Sequence, residues 1–178
     1  MKNVLFLQSW YSNISDNWYP WLQKELARIG YVTNFTDIPE MRKDAPNMAK
    51  ILKFIESNSV LNTDTIIVGH SLGNLLAMRL AERYKFKKMI LVSVWDYDDL
   101  CEGHKSFWKT KINHKAIKRN VKDIYVIHSD NDPYYTALAA KDTSNRLNAK
   151  YILLEGGGHF GSEDGYKKLP QVLELIKK

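Results

Sequence analysis

Thr65-Ile66-Ile67-Val68-Gly69-His70-Ser71-Leu72-Gly73-Asn74-Leu75-Leu76 decides the fold of this chain. Its first four residues are a short run of apolar and β-branched side chains, the pattern of a strand buried on both faces. From Leu72 to Leu80 the apolar positions recur at helical spacing instead. Strand therefore gives way to helix within one pentapeptide, Gly69-His70-Ser71-Leu72-Gly73, which has the form Gly-x-Ser-x-Gly. A serine on so tight a turn is forced into strained backbone angles, and side chains two residues to either side would collide with the neighbouring strand and helix. The turn pushes the serine hydroxyl out at the strand's C-terminal edge. The new helix aims its first N–H groups and its positive dipole end at the same point, which makes the Leu72 N–H an expected oxyanion donor. A glycine-rich turn capped by a serine is the plainer alternative; the position between strand and helix favours a nucleophile.

The same strand-then-helix unit recurs outward in both directions. Strands are expected at Asn3 to Leu7, Val32 to Thr36, Thr65 to Val68, Lys88 to Ser93, Ile124 to His128 and Tyr151 to Leu154. Helices are expected at Asn17 to Ile29, Pro46 to Ser57, Leu72 to Tyr84, Thr136 to Leu147 and Tyr166 to Lys177. This alternation predicts an α/β fold with a parallel sheet covered on both faces. Ser15, Asp16 or Asn17 is expected to cap the first helix and Gly30 to end it. The 178 residues suit one domain over 1–178, and no repeat or linker divides them. The long connection from Val94 to Asp123 carries Trp95, Tyr97, Phe107 and Trp108 among lysines, as a lid or binding element would, unless it hides a short helix.

Hydrophobic residues at 44% and charged residues at 26% exclude a disordered or fibrous chain. Val4 to Leu7 is too short for a signal-peptide core, and no stretch approaches the roughly 20 apolar residues of a membrane span. The lone Cys101 cannot make an internal disulfide, which fits a reducing cytoplasm. Net charge is +6, from 26 basic and 20 acidic residues. Much of the excess lies in Lys105, Lys109, Lys111, Lys115, Lys118, Arg119 and Lys122, where Phe107 and Trp108 could stack on bases. Without a nucleic-acid motif, this stretch is expected to be a solvated surface.

A serine becomes a nucleophile only when a base takes its proton. In a parallel sheet all strand C-termini share one edge, so residues just after strands can meet across large sequence distances. His159 follows the last strand through Glu155-Gly156-Gly157-Gly158, whose glycines allow a sharp turn toward the serine. Taken alone it would be a surface histidine, but the other histidines fit less well. His70 should point away from the Ser71 hydroxyl, His128 should be buried, and His104 and His114 lack metal-ligand spacing. No metal or cofactor is expected. The acid should follow the preceding strand, where Ser129-Asp130-Asn131-Asp132-Pro133 offers both Asp130 and Asp132. Asp130 could instead stabilise a turn, and Asp132 could cap a helix. The order serine, aspartate, histidine along the chain is that of α/β-hydrolases.

At this point the sequence resembles the small serine hydrolases grouped with retinoblastoma-binding protein nine, a compact branch of the α/β-hydrolase superfamily. Beyond the pentapeptide, the resemblance rests on Asn17-Trp18-Tyr19-Pro20-Trp21-Leu22, Asp37-Ile38-Pro39, Asp132-Pro133 and Gly158-His159-Phe160, and runs from Val4 to about Leu175. It implies a three-layer α/β/α sandwich whose six-stranded parallel sheet has the order 2-1-3-4-5-6, without a large lid. It also implies that Asp132 rather than Asp130 is the catalytic acid, and that the activity is cofactor-free hydrolysis of carboxylic esters or related acyl bonds. Larger relatives place His-Gly after the first strand to complete the oxyanion hole, whereas this chain reads Leu7-Gln8-Ser9-Trp10-Tyr11. The second donor is therefore expected from Trp10 N–H or Ser9 N–H, in a tighter pocket. One such donor is worth ~3 kcal/mol in the transition state.

Trp10, Tyr11, Trp95 and Tyr134 follow strands at this edge and are candidates to line the acyl pocket, although core packing is the commoner role for any one of them. Trp18 and Trp21, three apart on a helix face, should serve packing first and the pocket second. The expected partner is a small acyl ester or amide, with no membrane and no nucleic acid. Two other readings use the same residues: a non-catalytic binding module on a hydrolase scaffold, and an acyltransferase in which an alcohol replaces water.

Overall fold

The computed structural model describes residues 2–178. Its strands are β1 (Asn3–Leu7), β2 (Val32–Asn34), β3 (Thr65–His70), β4 (Lys88–Val92), β5 (Asp123–Ser129) and β6 (Lys150–Leu154). Its helices are α1 (Tyr19–Arg28), α2 (Met48–Asn58), α3 (Leu72–Ala81), α4 (His114–Asn120), α5 (Ala137–Leu147) and α6 (Pro170–Lys177). All six strands pair in parallel in the order β2-β1-β3-β4-β5-β6. Every residue of β1, β3 and β4 is buried, which is why these segments read as unbroken apolar runs. The edge strands β2 and β6 are partly exposed and carry the polar residues Thr33, Asn34 and Lys150.

Alternation along the strands divides the core in two. Leu5, Leu7, Ile67, Met89, Leu91 and Val126 pack with residues of α2, α3, α4 and α5. Val4, Phe6, Ile66, Val68, Val92 and Ile127 pack on the other face with Tyr19, Leu22 and Leu26 of α1 and with Val172, Leu175 and Ile176 of α6. Each fully buried leucine or isoleucine contributes about 1.5–3 kcal/mol of transfer free energy. The sandwich is that of the α/β-hydrolases, and its switch in strand order places the ends of β1 and β3 side by side. Among the described residues, no helix is long and apolar enough to cross a membrane.

The boundaries that differ from the sequence reading have local causes. Helix α1 begins at Tyr19, with Pro20 in its first turn and no side-chain cap. The expected cap residues are engaged elsewhere: the Asp16 carboxylate accepts the Asn13 N–H, and Asn17, at φ 53°, exchanges hydrogen bonds with Ser162. Gly30, at φ 82°, ends the helix as expected. Helix α6 begins at Pro170 rather than Tyr166, because Gly165 at φ 83° and the Tyr166 N–H to Gly161 bond form a turn first. Finally, the long connection hides α4, capped by Asn113, whose side chain accepts the Ala116 N–H.

That connection is anchored and forms no large lid. Buried Arg79 of α3 donates to the carbonyls of Phe107, Thr110 and Lys111. Phe107 is fully buried in the core and is not free to stack on a base, whereas the lysines between Lys105 and Lys122 are exposed.

Candidate active site

Ser71 sits between β3 and α3 with φ 53° and ψ −123°, the strained turn its flanking glycines imply. Such backbone angles cost about 1–3 kcal/mol and persist only where the surroundings enforce them. Here the Ser71 N–H is fixed to the Val92 carbonyl at 2.9 Å, and Asn74 ties the start of α3 to the end of β4 through its side chain. A Cβ on Gly73 would overlap the Leu7 carbonyl oxygen and lie 2.7 Å from that of Gln8. Only glycine lets the helix start press so closely on the end of β1.

The His159 Nε2 lies 2.8 Å from Ser71 Oγ, and its Nδ1 lies 2.8 Å from Asp132 Oδ2. With Nδ1–H donated to the carboxylate, Nε2 is left as the acceptor for the serine proton. Asp132 is buried, which opposes its charge. The hydrogen bond from His159, the electrostatic attraction of that ring and the Tyr134 N–H outweigh burial and hold the carboxyl below the ordinary carboxylate range. Its second oxygen accepts from the N–H groups of Tyr134 and Tyr135. Asp130 bonds elsewhere, accepting the Gly156 N–H at 2.8 Å.

That bond is one of a set. The N–H groups of Gly156, Gly157 and Gly158 donate in turn to Asp130, Ser129 and Asn131, so the loop carrying Asp132 and the loop carrying His159 are stitched side by side. Gly158 adopts φ 54°, and a Cβ there would collide with the Asp164 carboxylate. Asp164 in turn accepts the N–H groups of His159 and Gly161.

A cavity of about 820 Å³ opens over Ser71 and His159. The N–H groups of Leu72 and Trp10 have no hydrogen-bond partner among the described residues, whereas Ser9 N–H donates to the Tyr19 hydroxyl. Tyr11 and Tyr134 both line the cavity and are exposed, with Tyr134 edge-on to the His159 ring at 4.7 Å between centroids. Trp95 does not line it. Its ring is fully buried and stacks at 3.9 Å on Tyr135, which takes the place at the wall expected of the tryptophan. Trp18 is likewise fully buried, edge-on to Phe6, and Trp21 packs against the same cluster.

The wall also includes residues that sequence reasoning did not place there. Asp99 accepts from the Tyr135 hydroxyl at 2.8 Å and pairs with His104 Nδ1 at 2.7 Å, and both line the cavity with Cys101. Their signal was hidden inside the basic connection, where one histidine and one aspartate five residues apart suggest a surface turn. His128 is fully buried, and burial pushes its imidazole below the usual range. Its Nε2–H donates to the Tyr135 carbonyl at 2.9 Å. Among the described residues, no group of three or more His, Cys, Asp or Glu side chains could hold a metal ion.

Comparison with known proteins agrees with this architecture. The rat (Rattus norvegicus) serine hydrolase RBBP9 is 28% identical over 162 residues, covering 89% of this chain and 86% of its own length. The YdeN protein of Bacillus subtilis is 24% identical over 184 residues, covering 98% of this chain and 94% of its own. The crystal structure of the YdeN protein superposes with a TM-score of 0.88 over 99% of this chain and 97% of that one. Est1E from Butyrivibrio proteoclasticus, solved with ferulic acid bound, shares the fold at a TM-score of 0.68 and 15% identity, over 100% of this chain and 90% of its own. The family described as serine hydrolase matches residues 4–178, nearly the whole chain, and the chain belongs to that family.

Proposed function

We propose that the protein is a carboxylesterase that cleaves small acyl esters through an acyl-enzyme on Ser71, with His159 as general base and Asp132 as its orienting acid. The observation that carries this reading is the unbroken line from Ser71 Oγ through the His159 ring to Asp132, at 2.8 Å for each contact. As Oγ attacks the ester carbonyl, its proton passes to Nε2, and Asp132 stabilises the imidazolium without taking a proton. The negative oxygen of the tetrahedral adduct is met by Leu72 N–H and Trp10 N–H. Collapse breaks the bond to the alkoxy group, which leaves with the proton from Nε2. Water then gives its proton to Nε2, attacks the acyl-enzyme, and releases the acid as Oγ recovers a proton.

Tyr11 and Tyr134 would flank the substrate at the cavity mouth, and Tyr135 would form part of its inner wall. The single Cys101, which can form no internal disulfide, suits work by one domain in a reducing cytoplasm.

Ser71→Ala is expected to lower turnover of a short-chain aryl ester by at least about 10⁴-fold while the thermal transition stays in place. A fluorophosphonate should label the wild type at Ser71 and leave the variant unlabelled. Turnover retained in Ser71→Ala, or a wild-type serine inert to the probe, would remove this reading.

A further inference from the structure

We propose that Tyr19 and His70 are positioning residues for the reaction at Ser71, forming a buried hydrogen-bond relay that locks the donor loop after β1 to the main chain of the base. The inference rests on the function proposed above and adds to it two side chains that never touch the substrate carbonyl.

The relay can be followed atom by atom. Ser9 N–H donates to the Tyr19 hydroxyl at 3.3 Å. Tyr19 Oη lies 2.6 Å from His70 Nδ1, and His70 Nε2 lies 2.8 Å from the carbonyl oxygen of His159. A carbonyl can only accept, so the His70 proton is on Nε2; Nδ1 must then accept, and the Tyr19 hydroxyl must donate. Tyr19 and His70 are almost completely buried, at 0% and 1% exposure. Burial, followed by the neighbouring His159, pushes the His70 imidazole down to about 3. At neutral pH the ring is therefore uncharged, and its two nitrogens keep fixed donor and acceptor roles.

Two consequences reach the chemistry. First, the relay engages Ser9 N–H, so of the two candidate donors after β1 only Trp10 N–H is left for the oxyanion. Gln8 supports the same loop, donating to the Ser12 carbonyl at 2.5 Å and accepting the Ile38 N–H at 3.1 Å. Second, the main chain of His159 is gripped at both ends. Its carbonyl is held by His70 and its N–H by Asp164 at 2.9 Å, which leaves the ring little freedom to swing away from Ser71. A reciprocal pair, Asn17 with Ser162, ties the same two loops at the cavity wall, at 2.7 and 3.0 Å. Donor and base lie on loops about 150 residues apart in the chain, and their relative placement must hold to within a fraction of an ångström for both to act on one carbonyl.

The test compares Tyr19→Phe, His70→Leu, His70→Gln and the double variant Tyr19→Phe/His70→Leu on a p-nitrophenyl ester of short acyl length. Steady-state constants, the rate of fluorophosphonate labelling at Ser71 and the thermal midpoint are measured for each. Tyr19→Phe removes one hydroxyl and keeps the ring. It is expected to lower kcat about tenfold, with KM within about twofold and labelling slowed in step. His70→Gln, whose amide can donate and accept along the same direction, should recover most of the activity that His70→Leu loses. The double variant should be no worse than the weaker single one, because either change interrupts the same line.

An unchanged kcat in Tyr19→Phe, additive losses in the double variant, or a loss that follows the thermal midpoint without recovery in His70→Gln would overturn the relay. Should His70→Leu fail to fold, Tyr19→Phe and His70→Gln decide the matter. A wild-type Ser71 inert to the probe removes both the esterase and the relay. A reactive wild type with an unaffected Tyr19→Phe removes the relay alone.

Discussion

The two sides of Ser71 are held in place by different means. On the side of His159, the consecutive N–H groups of Gly156, Gly157 and Gly158 donate to side chains of the neighbouring loop one strand away. On the donor side, the loop after β1 is secured through long-range polar contacts with the core: Gln8 to Ile38, and Ser9 through Tyr19 to His70. The His159 side thus leans mainly on the backbone N–H groups of glycines, where a Cβ on Gly158 would do harm, with His70 added from the core. The donor is set by buried side chains, whose loss leaves a polar partner unsatisfied while the chain trace survives. Substitutions on the base side should therefore be more damaging than those on the donor side.

The largest effect is expected from Asp132→Asn. The amide would offer a donor where His159 Nδ1–H needs an acceptor, favouring the wrong tautomer, and kcat should fall by about 10⁴-fold with an unchanged fold. Steady-state assays beside a thermal melt check this; a loss below about tenfold would mean that orientation of the base does not depend on its acid.

Gly158→Ala should come next. Its Cβ would run into the Asp164 carboxylate from a left-handed backbone, dislodging the group that holds His159 N–H. Activity should drop about 10²-fold, more than in Tyr19→Phe, with about 1–3 kcal/mol of stability lost in urea titration. If Gly158→Ala proves milder than Tyr19→Phe, the contrast between the two sides is reversed.

A graded effect belongs to the donor side and appears in stability against pH. His70 is held at about 3 in the folded chain against an ordinary value of 6.5. Between these values the unfolded chain binds a proton that the folded one refuses, so stability declines as pH falls below 6.5. This group contributes about 1.4 kcal/mol per pH unit across that window. Buried His128 acts in the same direction. Asp132, held below its usual value, adds to the acid loss only beneath the ordinary carboxylate range. Urea midpoints at pH 7, 5.5 and 4 should fall steadily in the wild type and less steeply in His70→Gln. Equal slopes would show that His70 does not titrate as its burial requires.

The same contrast explains what could be read from the chain. All six strands were legible, the buried ones as largely apolar runs and the edge strands β2 and β6 by their place between helices, and the loops that carry Asp132 and His159 were legible through their aspartates and glycines. The strand order and the preference for Asp132 came from family resemblance, because Asp130 and Asp132 differ only in which partner each meets after folding. The donor side was nearly silent. Gln8, Tyr19 and His70 are ordinary residues whose roles depend on partners 10, 30, 51 and 89 positions away. Trp95 took the commoner of its two roles: following a strand places a residue near the edge, but Tyr135 stacks over the indole and keeps it in the core, away from the cavity. Helix α4 was masked by its lysines, which put only Ala116, Ile117 and Asn120 in the interior.

The contact between Gly73 and the carbonyls of Leu7 and Gln8 has an evolutionary consequence. Even a methyl group at that point would wedge Ser71 away from the end of β1, so no gradual series of side chains leads out of this arrangement. Tyr11 and Tyr134, exposed at the mouth, face no such barrier. The rim is thus open to variation in size and polarity, while the seat of Ser71 against the end of β1 admits glycine alone.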